Sequence, residues 1–390
     1  MKYFYLILIF LSAAVGKLAA AEIPATAGTV NSKGFTRIDF CEADGLLYAF
    51  NGKDIYYYSN VSDSFNVVFA NAGYSTTSTW DPADFSFLSD SNNVFLPTGE
   101  SQKAVYVEML NSIAAEKTVL NRNYYSTASR YRDNQLFSNG VGPVNNTIFM
   151  LDMSGNGSET QVTQVSSKNS GAIAFDYADN LYVADFKPVF DGRGLGYVDI
   201  YRISRGQLDS FAEDNSFIVA AKLIVNNALL AGSDSIVIDA DYNIYMGSYV
   251  GIAKIVPTSD PNNYTVTSID GNIYANPHGF PLPNFKFAGI TEDIKSGTIY
   301  YGKSELDQNT YVYGPYTLYS FNMTAAEFWS ADLDGDGIVD FNDLYLMQED
   351  YLCDGTYLKG DINDSGFIDF QDFRIFANHW RNEAAWYKKD

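Results

Sequence analysis

Cysteine is almost absent from this chain of 390 residues. There are two, Cys41 and Cys353, so at most one disulfide forms and no disulfide framework carries the fold. One bridge and two separate thiols both stay open as readings. Basic residues are scarce as well, with 25 Lys and Arg against 47 Asp and Glu and a formal net charge of −22. That balance argues against nucleic acid or an anionic membrane surface as a partner and makes cations the natural counterpart. Beyond the N-terminal stretch no apolar run approaches the roughly 20 residues that a bilayer requires, so no later segment is expected to span a membrane. What is plentiful is aromatic surface: 27 Phe, 30 Tyr and 4 Trp, with only 18% charged residues. This is ample material for strands and a core, and it excludes global disorder.

The first residues, MKYFYLILIFLSAAVGKLAAAEIPA, place Lys2 before an apolar run from Phe4 to Val15 and end in the small residues Ala19 to Ala21. They read as a secretory leader, residues 1–21, cleaved after Ala21. An uncleaved anchor helix is the competing reading, disfavoured because the run is too short. The mature chain is expected to be secreted or held at the cell surface.

A short pattern then recurs: an apolar strand, a turn of Asp, Asn, Gly or Ser, and an apolar-aromatic strand. Its clearest copies are AIAFDYADNLYVADF from Ala172, SIVIDADYNIYMGSY from Ser235 and GITEDIKSGTIYYGKS from Gly289. Weaker ones begin at Arg37 and Phe85, and a doubtful one at Ser129. Aligned on the aromatic after the turn, Tyr48, Phe95, Phe137, Tyr182, Tyr245 and Tyr300 follow one another at intervals of 42 to 63 residues. A mean interval of about 50 suits the blades of a propeller. A second hairpin-like stretch follows most copies, as from Asp54, Thr147, Tyr197 and Gly251, giving four strands per repeat. The expected fold is mainly β: a propeller of about six blades over residues 22–328, with five or seven as alternatives. Its last copy ends one strand short after TLYSFNM, so Ile23 to Val30 is expected to close the ring. The repeats, with turns such as DYADN followed by LYVAD, resemble NHL-type and streptogramin-lyase-type propellers from about Arg37 to Met323. That resemblance speaks for architecture, since such propellers host enzymes, ligand binders and interaction platforms alike.

Residues 329–390 differ in character, with 14 acidic residues against 5 basic ones and a change to helical spacing. Two stretches 29 residues apart match: DLDGDGIVDFND from Asp332 and DINDSGFIDFQD from Asp361. Each follows the rule of an EF-hand loop, with side-chain oxygens at positions 1, 3, 5, 9 and 12, a carbonyl at 7 and Gly at 6. In the first loop these are Asp332, Asp334, Asp336, Asp340 and Asp343, with the Ile338 carbonyl and Gly337. In the second they are Asp361, Asn363, Ser365, Asp369 and Asp372, with the Phe367 carbonyl and Gly366. Two calcium ions are expected, held more tightly in the first, carboxylate-richer loop. The residues after the loops, Phe341, Leu344, Met347 and Tyr351, then Phe370, Phe373, Phe376 and Trp380, predict an apolar stripe on a helix following each loop.

This duplicated loop–helix unit resembles a type I dockerin from Asp332 to about Arg381. The resemblance implies a small α-helical calcium-binding domain that docks onto a cohesin-like protein, often in assemblies that degrade polysaccharides. Positions 10 and 11, usually small hydroxyl pairs, are here Phe341 with Asn342 and Phe370 with Gln371, so a tail packed on its own propeller is the alternative. If the helices dock a partner, Asn342, Tyr345, Gln371 and Arg374 are the expected contacts.

Catalytic signals are weak. The acid pairs Asp176 with Asp179 and Asp239 with Asp241 fall in hairpin turns, where Asp and Asn cap their own backbone. His278 stands in the Pro-rich NPHGFPLPN and reads as a surface or packing residue, while His379 lies on the last helix and reads as solvated. There is no G-x-S-x-G elbow, H-E-x-x-H or phosphate-cradling loop. The sequence therefore favours an exported binding module, for a protein or a glycan, attached by its tail to a larger assembly. The alternative is a carbohydrate-active hydrolase or lyase with an axial active site, which carboxylates converging in an axial funnel would favour.

Overall fold

In this computed structural model the described residues are 16–23, the strands and most turns between 37 and 323, and parts of 331–381. Residues 1–15, 24–36, 70–85, 97–104, 324–330 and 382–390 lie outside the description, as do shorter stretches in the connections and acidic loops. His278, Cys353 and the expected domain boundary near 328 all lie outside the description.

Segments such as SIVI and LYVA run almost unbroken in apolar residues because both of their faces are covered, and all of these residues are buried. Each repeat becomes one antiparallel sheet whose strands pair in sequence order. The first holds Arg37–Cys41, Leu46–Phe50, Ile55–Ser59 and Ser64–Phe69. The second holds Ser86–Phe87, Val94–Leu96, Val105–Leu110 and Ile113–Val119. The doubtful copy forms a regular third sheet of Tyr124–Ser129, Leu136–Gly140, Thr147–Asp152 and Ser158–Gln164. The fourth consists of Ser170–Phe175, Leu181–Pro188, Gly196–Ile203 and Lys222–Leu230, and the fifth of Ser235–Ile238, Ile244–Ser248, Gly251–Val256 and Thr265–Gly271. The first strands of successive sheets are spatial neighbours, from Arg37–Cys41 round to Phe285–Asp293 and back. The chain is a β-propeller.

The expectation of about six uniform four-stranded units needs one correction, because five sheets have that form. The last contains Phe285–Asp293, Thr298–Asp307 and Tyr316–Asn322, carries Val312–Tyr313 as an extra strand, and takes its outer strand from the N-terminal end of the chain. That outer strand is Gly16–Ile23, antiparallel to Tyr316–Asn322, with Gly16 opposite Ser320 and Ile23 opposite Tyr316. Closure therefore comes just before the expected Ile23–Val30. The edge takes a segment that offers N–H groups to the ladder, and Pro24 interrupts that supply immediately afterwards. The strand includes Ala19 to Ala21, the end of the expected leader; residues 24–30 lie outside the description.

A second correction concerns the stretch from Tyr197, read as a hairpin. Its first strand, Gly196–Ile203, is followed by a helix, α1, Arg205–Asp214, before the sheet resumes at Lys222. The local cause is a capping box: Gln207 Oε1 accepts from the Ser204 N–H at 2.9 Å, and Ser204 Oγ accepts from the Gln207 N–H at 3.3 Å. Leu208 and Phe211, one turn apart, are buried with Phe137, Phe175 and Leu181 of the third and fourth sheets. This insertion accounts for the long interval between Tyr182 and Tyr245.

Two further helices, α2 (Phe341–Glu349) and α3 (Phe370–Asn378), occupy equivalent places 29 residues apart. Their core is Ala331, Val339, Met347, Ile368 and Phe376, with Leu344 and Trp380 packed against it. The predicted stripe is only partly inside: Phe341 and Phe370 are 71% and 70% exposed, and Tyr351 and Phe373 are exposed too. Phe341 and Phe370 sit at the first helical position, before the turn that faces the core, while Val339 and Ile368 from the loops fill the interior instead. Among the described residues no helix is long and apolar enough to cross a membrane. Cys41 is buried beside Tyr48, Phe50 and Ile55.

Candidate functional site

The innermost strand of each sheet is an edge, and an edge leaves backbone N–H groups outside its own ladder. Short side chains on neighbouring inner strands take up several of them. Asp39 Oδ2 accepts from the Phe87 N–H at 2.9 Å, Ser126 Oγ from Ile173 at 3.1 Å, Ser235 Oγ from Ile290 at 2.9 Å, and Thr291 Oγ1 from Phe40 at 2.9 Å. The Ala172 N–H reaches the Ser233 carbonyl at 3.1 Å across a further boundary. The ring is stitched at its narrowest circle, and a cavity of about 100 Å³ remains there, lined by the first strand of every sheet.

Strand register decides what faces this cavity. Opposite the aromatics Tyr48, Phe95, Phe137, Tyr182, Tyr245 and Tyr300 stand Asp39, Ser86, Ala128, Ala174, Val237 and Thr291, and all six line it. Thr291, Asp39 and Ser86 come from three adjacent sheets and are polar; Ala128, Ala174 and Val237 are aliphatic, with Thr127, Ser129 and Ser235 of the same strands also in the wall. The Thr291 hydroxyl donates to Asp39 Oδ1 at 2.9 Å, and Glu292 beside it also lines the cavity while only 9% exposed. Among the described residues no Lys, Arg or His belongs to the wall. Sequence reasoning missed Asp39 and Glu292. The signal for Asp39 was the alignment already used for the repeats, read on the strand before the turn instead of the one after it.

The acid pairs noted in the sequence lie in the hairpin turns and do not line the cavity. Asp176 Oδ1 accepts from the Asn180 N–H at 2.8 Å, and the Asn180 amide donates to both of its oxygens at 3.2 and 3.0 Å. Asp239 repeats this with Asn243 at 2.9, 3.0 and 2.8 Å, and also accepts from the Tyr245 hydroxyl at 3.1 Å. Asp179 and Tyr242, each three residues after its Asp, both take a left-handed φ near +60°. Burial drives the Asp176 carboxyl up to about 6 and raises Asp239 as well. Burial, with the Asp239 charge beside it, holds the Tyr245 hydroxyl far above its ordinary range. Asp241 donates its backbone N–H to Asp239 Oδ1 at 3.0 Å and is exposed. These acids shape turns.

Asp179 has a further role. It lies 3.8 Å from Nε of Arg130, a fully buried arginine of the third sheet that also pairs with Asp209 on α1. Arg205 Nε, one turn earlier on α1 itself, bonds the other Asp209 oxygen at 3.4 Å, so Asp209 joins the helix by charge to Arg130 as well as by packing.

In the C-terminal units the described expected ligands are Ile338, Asp340, Asp343, Asp361, Phe367, Asp369 and Asp372; Asp332, Asp334, Asp336, Asn363 and Ser365 lie outside the description. Asp343 and Asp372 are fully buried. Asp343 Oδ2 accepts from the Asp340 N–H at 2.7 Å while Asp340 Oδ1 accepts from Asn342 at 2.8 Å. Asp372 and Asp369 repeat both bonds at 2.9 and 2.6 Å, a capping box at the start of α3. Positions 9 and 12 of each loop are therefore brought together at a helix N-terminus. The donors are oxygens throughout, which is the chemistry a hard divalent cation takes. Among the described residues no group of three or more His, Cys, Asp or Glu side chains converges. Asn342, Tyr345, Gln371 and Arg374 are all exposed, and His379 caps the end of α3, half-buried.

No protein-family model matches the chain, and no curated protein matches it in sequence. Solved structures do. The PQQ-bound aldose sugar dehydrogenase of Streptomyces coelicolor is similar at 9% identity and a TM-score of 0.50 over 77% of this chain and 97% of that one. A glucose dehydrogenase gives 10% identity and a TM-score of 0.48 over 75% and 97%. The gluconolactonase XC5397 of Xanthomonas campestris gives 9% and 0.45 over 74% and 86%. At such identities the likeness is one of fold.

Proposed function

We propose that this chain is an exported binding propeller, secreted or held at the cell surface, whose tail attaches it to a larger assembly in polysaccharide breakdown. In this reading residues 332–372 hold two calcium ions through the twelve positions named in the sequence, and the dockerin-like pair of helices engages a cohesin-like partner. The observation that carries it is the same acidic cap built twice, Asp340 with Asp343 and Asp369 with Asp372, each with its second carboxylate fully buried. Burying a carboxylate in a loop otherwise made of acids is costly unless a cation arrives. Calcium would supply that charge and tie each loop to the helix it starts.

The docking face is then the exposed side of α2 and α3. Replacing Tyr345→Ala together with Arg374→Ala should abolish capture of a cohesin-like partner while calcium binding persists. Retained capture, or no partner recovered from the surface fraction of the source organism, points instead to a tail that packs on its own propeller.

A second reading, a hydrolase or lyase acting on carbohydrate, is supported by one feature: Asp39 and Glu292 both line the axial cavity, with Phe40 and Phe175 in the same wall. A hydrolysis and lyase screen over polysaccharides decides it. Turnover that Glu292→Gln removes would establish the enzyme; binding on a glycan array without turnover supports the binding module.

A further inference from the structure

We propose that the leader is removed at the Gly16–Lys17 bond, so that the mature chain begins at Lys17 and keeps the strand that closes the ring. The inference rests on reading the chain as exported and names where its processing falls. Two places in the sequence carry the small residues that a leader peptidase takes one and three positions before its cut: Ala14 with Gly16, and Ala19 with Ala21. Residue type alone does not choose between them.

The sheet pairing chooses. Gly16–Ile23 is the outer strand of the last sheet, antiparallel to Tyr316–Asn322, and it also neighbours Ser64–Phe69, the outer strand of the first sheet. Its register sets Gly16 opposite Ser320, Lys17 opposite Tyr319, Glu22 opposite Thr317 and Ile23 opposite Tyr316. A cut after Gly16 removes the first of these pairs and leaves the others. A cut after Ala21 leaves only Glu22 and Ile23, and Pro24 follows at once with no N–H to give. The strand Tyr316–Asn322 is then left with most of its outer backbone groups unpaired, at the seam where the ring closes.

The pattern of the leader agrees with the first site. Its apolar run from Phe4 to Val15 ends directly there, whereas Lys17 separates the run from Ala19 and Ala21, and both of those alanines lie inside the strand. The reaction is a hydrolysis, in which a leader peptidase adds water across the Gly16–Lys17 amide and leaves a carboxylate on Gly16 and an ammonium on Lys17. A protease takes open chain, and this bond joins two paired residues, so the cut precedes closure of the ring.

The N-terminus of the protein exported by its source organism, read by Edman sequencing and intact mass, tests the inference. Lys17 is expected. Glu22 or Met1 on exported protein would overturn the processing site with export intact; a chain found only inside the cell, with Met1 retained, strikes the export reading and the site with it. Ala21→Leu should leave the mature N-terminus unchanged and Gly16→Leu should block or shift it, and the reverse pattern would place the cut after Ala21. Chains starting at Lys17 and at Glu22, made without a leader, supply a second measurement. The Glu22 chain should melt about 5 °C or more lower and associate through its open edge. The peptide KLAAAEI, the sequence of Lys17–Ile23, should restore most of that loss when added in trans, and the same peptide with Ala19→Pro and Ala21→Pro should not. Equal melting of the two chains, with no effect of the peptide, would mean that residues after Pro24 close the ring, and the proposal would fall.

Discussion

Both repeated parts of this chain bury aspartates at turns, and they satisfy them from different sources. In the propeller, Asp176 and Asp239 are each closed off by an amide four residues on, Asn180 or Asn243, within the same hairpin. The turn is complete in itself. In the tail, Asp343 and Asp372 take an N–H from three residues back, and the acids that precede them in sequence belong to the same loop. What separates a structural aspartate from a metal-competent one is thus the company it keeps: an amide donor in one case, further carboxylates in the other. The same residue type at the same kind of turn carries no function by itself.

The largest expected effect tests this contrast directly. Dialysis of the full chain against a chelator should lower the helical far-ultraviolet signal while the strand signal of the propeller stays, and calcium should restore it with measurable heat. An unchanged spectrum together with no heat on titration would mean that the tail's acids are structural like those of the propeller. Asp343→Ala with Asp372→Ala should mimic the chelator, because the buried carboxylate is removed from both units.

A smaller loss is expected inside the propeller. Arg130 is fully buried between Asp179 and Asp209, and Arg130→Met leaves both acids without it. Removing one partner of a buried ion pair costs about 3–5 kcal/mol, and the lower end applies here because Asp209 is partly exposed. Thermal unfolding should fall accordingly while calcium heat is unaltered; a coupled loss of both would join the two regions that the contrast keeps apart.

Much of this architecture was legible because each repeat carries its own periodicity. The aromatic after the turn located every sheet, even the third, whose turn Arg130 to Gln135 has little of the DYADN pattern. Helix α1 was equally available, since Ser204 and Gln207 form a capping-box spacing, yet it was hidden by the flanking strand YVDIYRI, whose alternation dominates the window. The closing strand was misplaced by a few residues because edge pairing depends on backbone donors and not on side-chain pattern. Asp39 and Glu292 were illegible as a pair. They lie some 250 residues apart, and only ring closure brings the first and last inner strands together, as the bond from Thr291 to Asp39 records.

The pH dependence of the hairpin acids sharpens the comparison further. Asp176 titrates at about 6 when folded because burial disfavours its charge, against an ordinary value of 3.8. A carboxyl raised on folding binds its proton more tightly in the native state, so its contribution is fully present below about pH 3.8 and is lost as pH rises through about 6. At pH 7 the buried charge is then a cost on the order of 3 kcal/mol. Asp176→Asn keeps an acceptor for the turn and removes the charge. Relative to the parent chain it should gain stability between pH 4 and 7 and show no gain at pH 3.5, measured as melting temperature against pH. A constant difference at every pH would mean that folding does not shift this carboxyl, and a loss that grows as pH rises above about 3.8 would mean that Arg202 nearby, and not burial, governs it.

The smallest effect belongs to the cap of α1. Ser204→Ala removes the hydroxyl that accepts from the Gln207 N–H, while Leu208 and Phe211 keep the helix on its core. Loss of such a cap costs about 1 kcal/mol. The helix keeps its pair from Asp209 to Arg130 and its internal pair of Arg205 with Asp209, so it should stay folded and merely open more often. Amide exchange should therefore quicken at the first turn of α1, with little change in the strand Gly196–Ile203 that precedes it. The capping box of α3 offers the matched measurement, because Asp369→Ala removes the same kind of bond and, if calcium is held there, a ligand as well. A loss for Asp369→Ala no larger than that for Ser204→Ala, with calcium present, would show that the tail's caps do nothing more than the propeller's own.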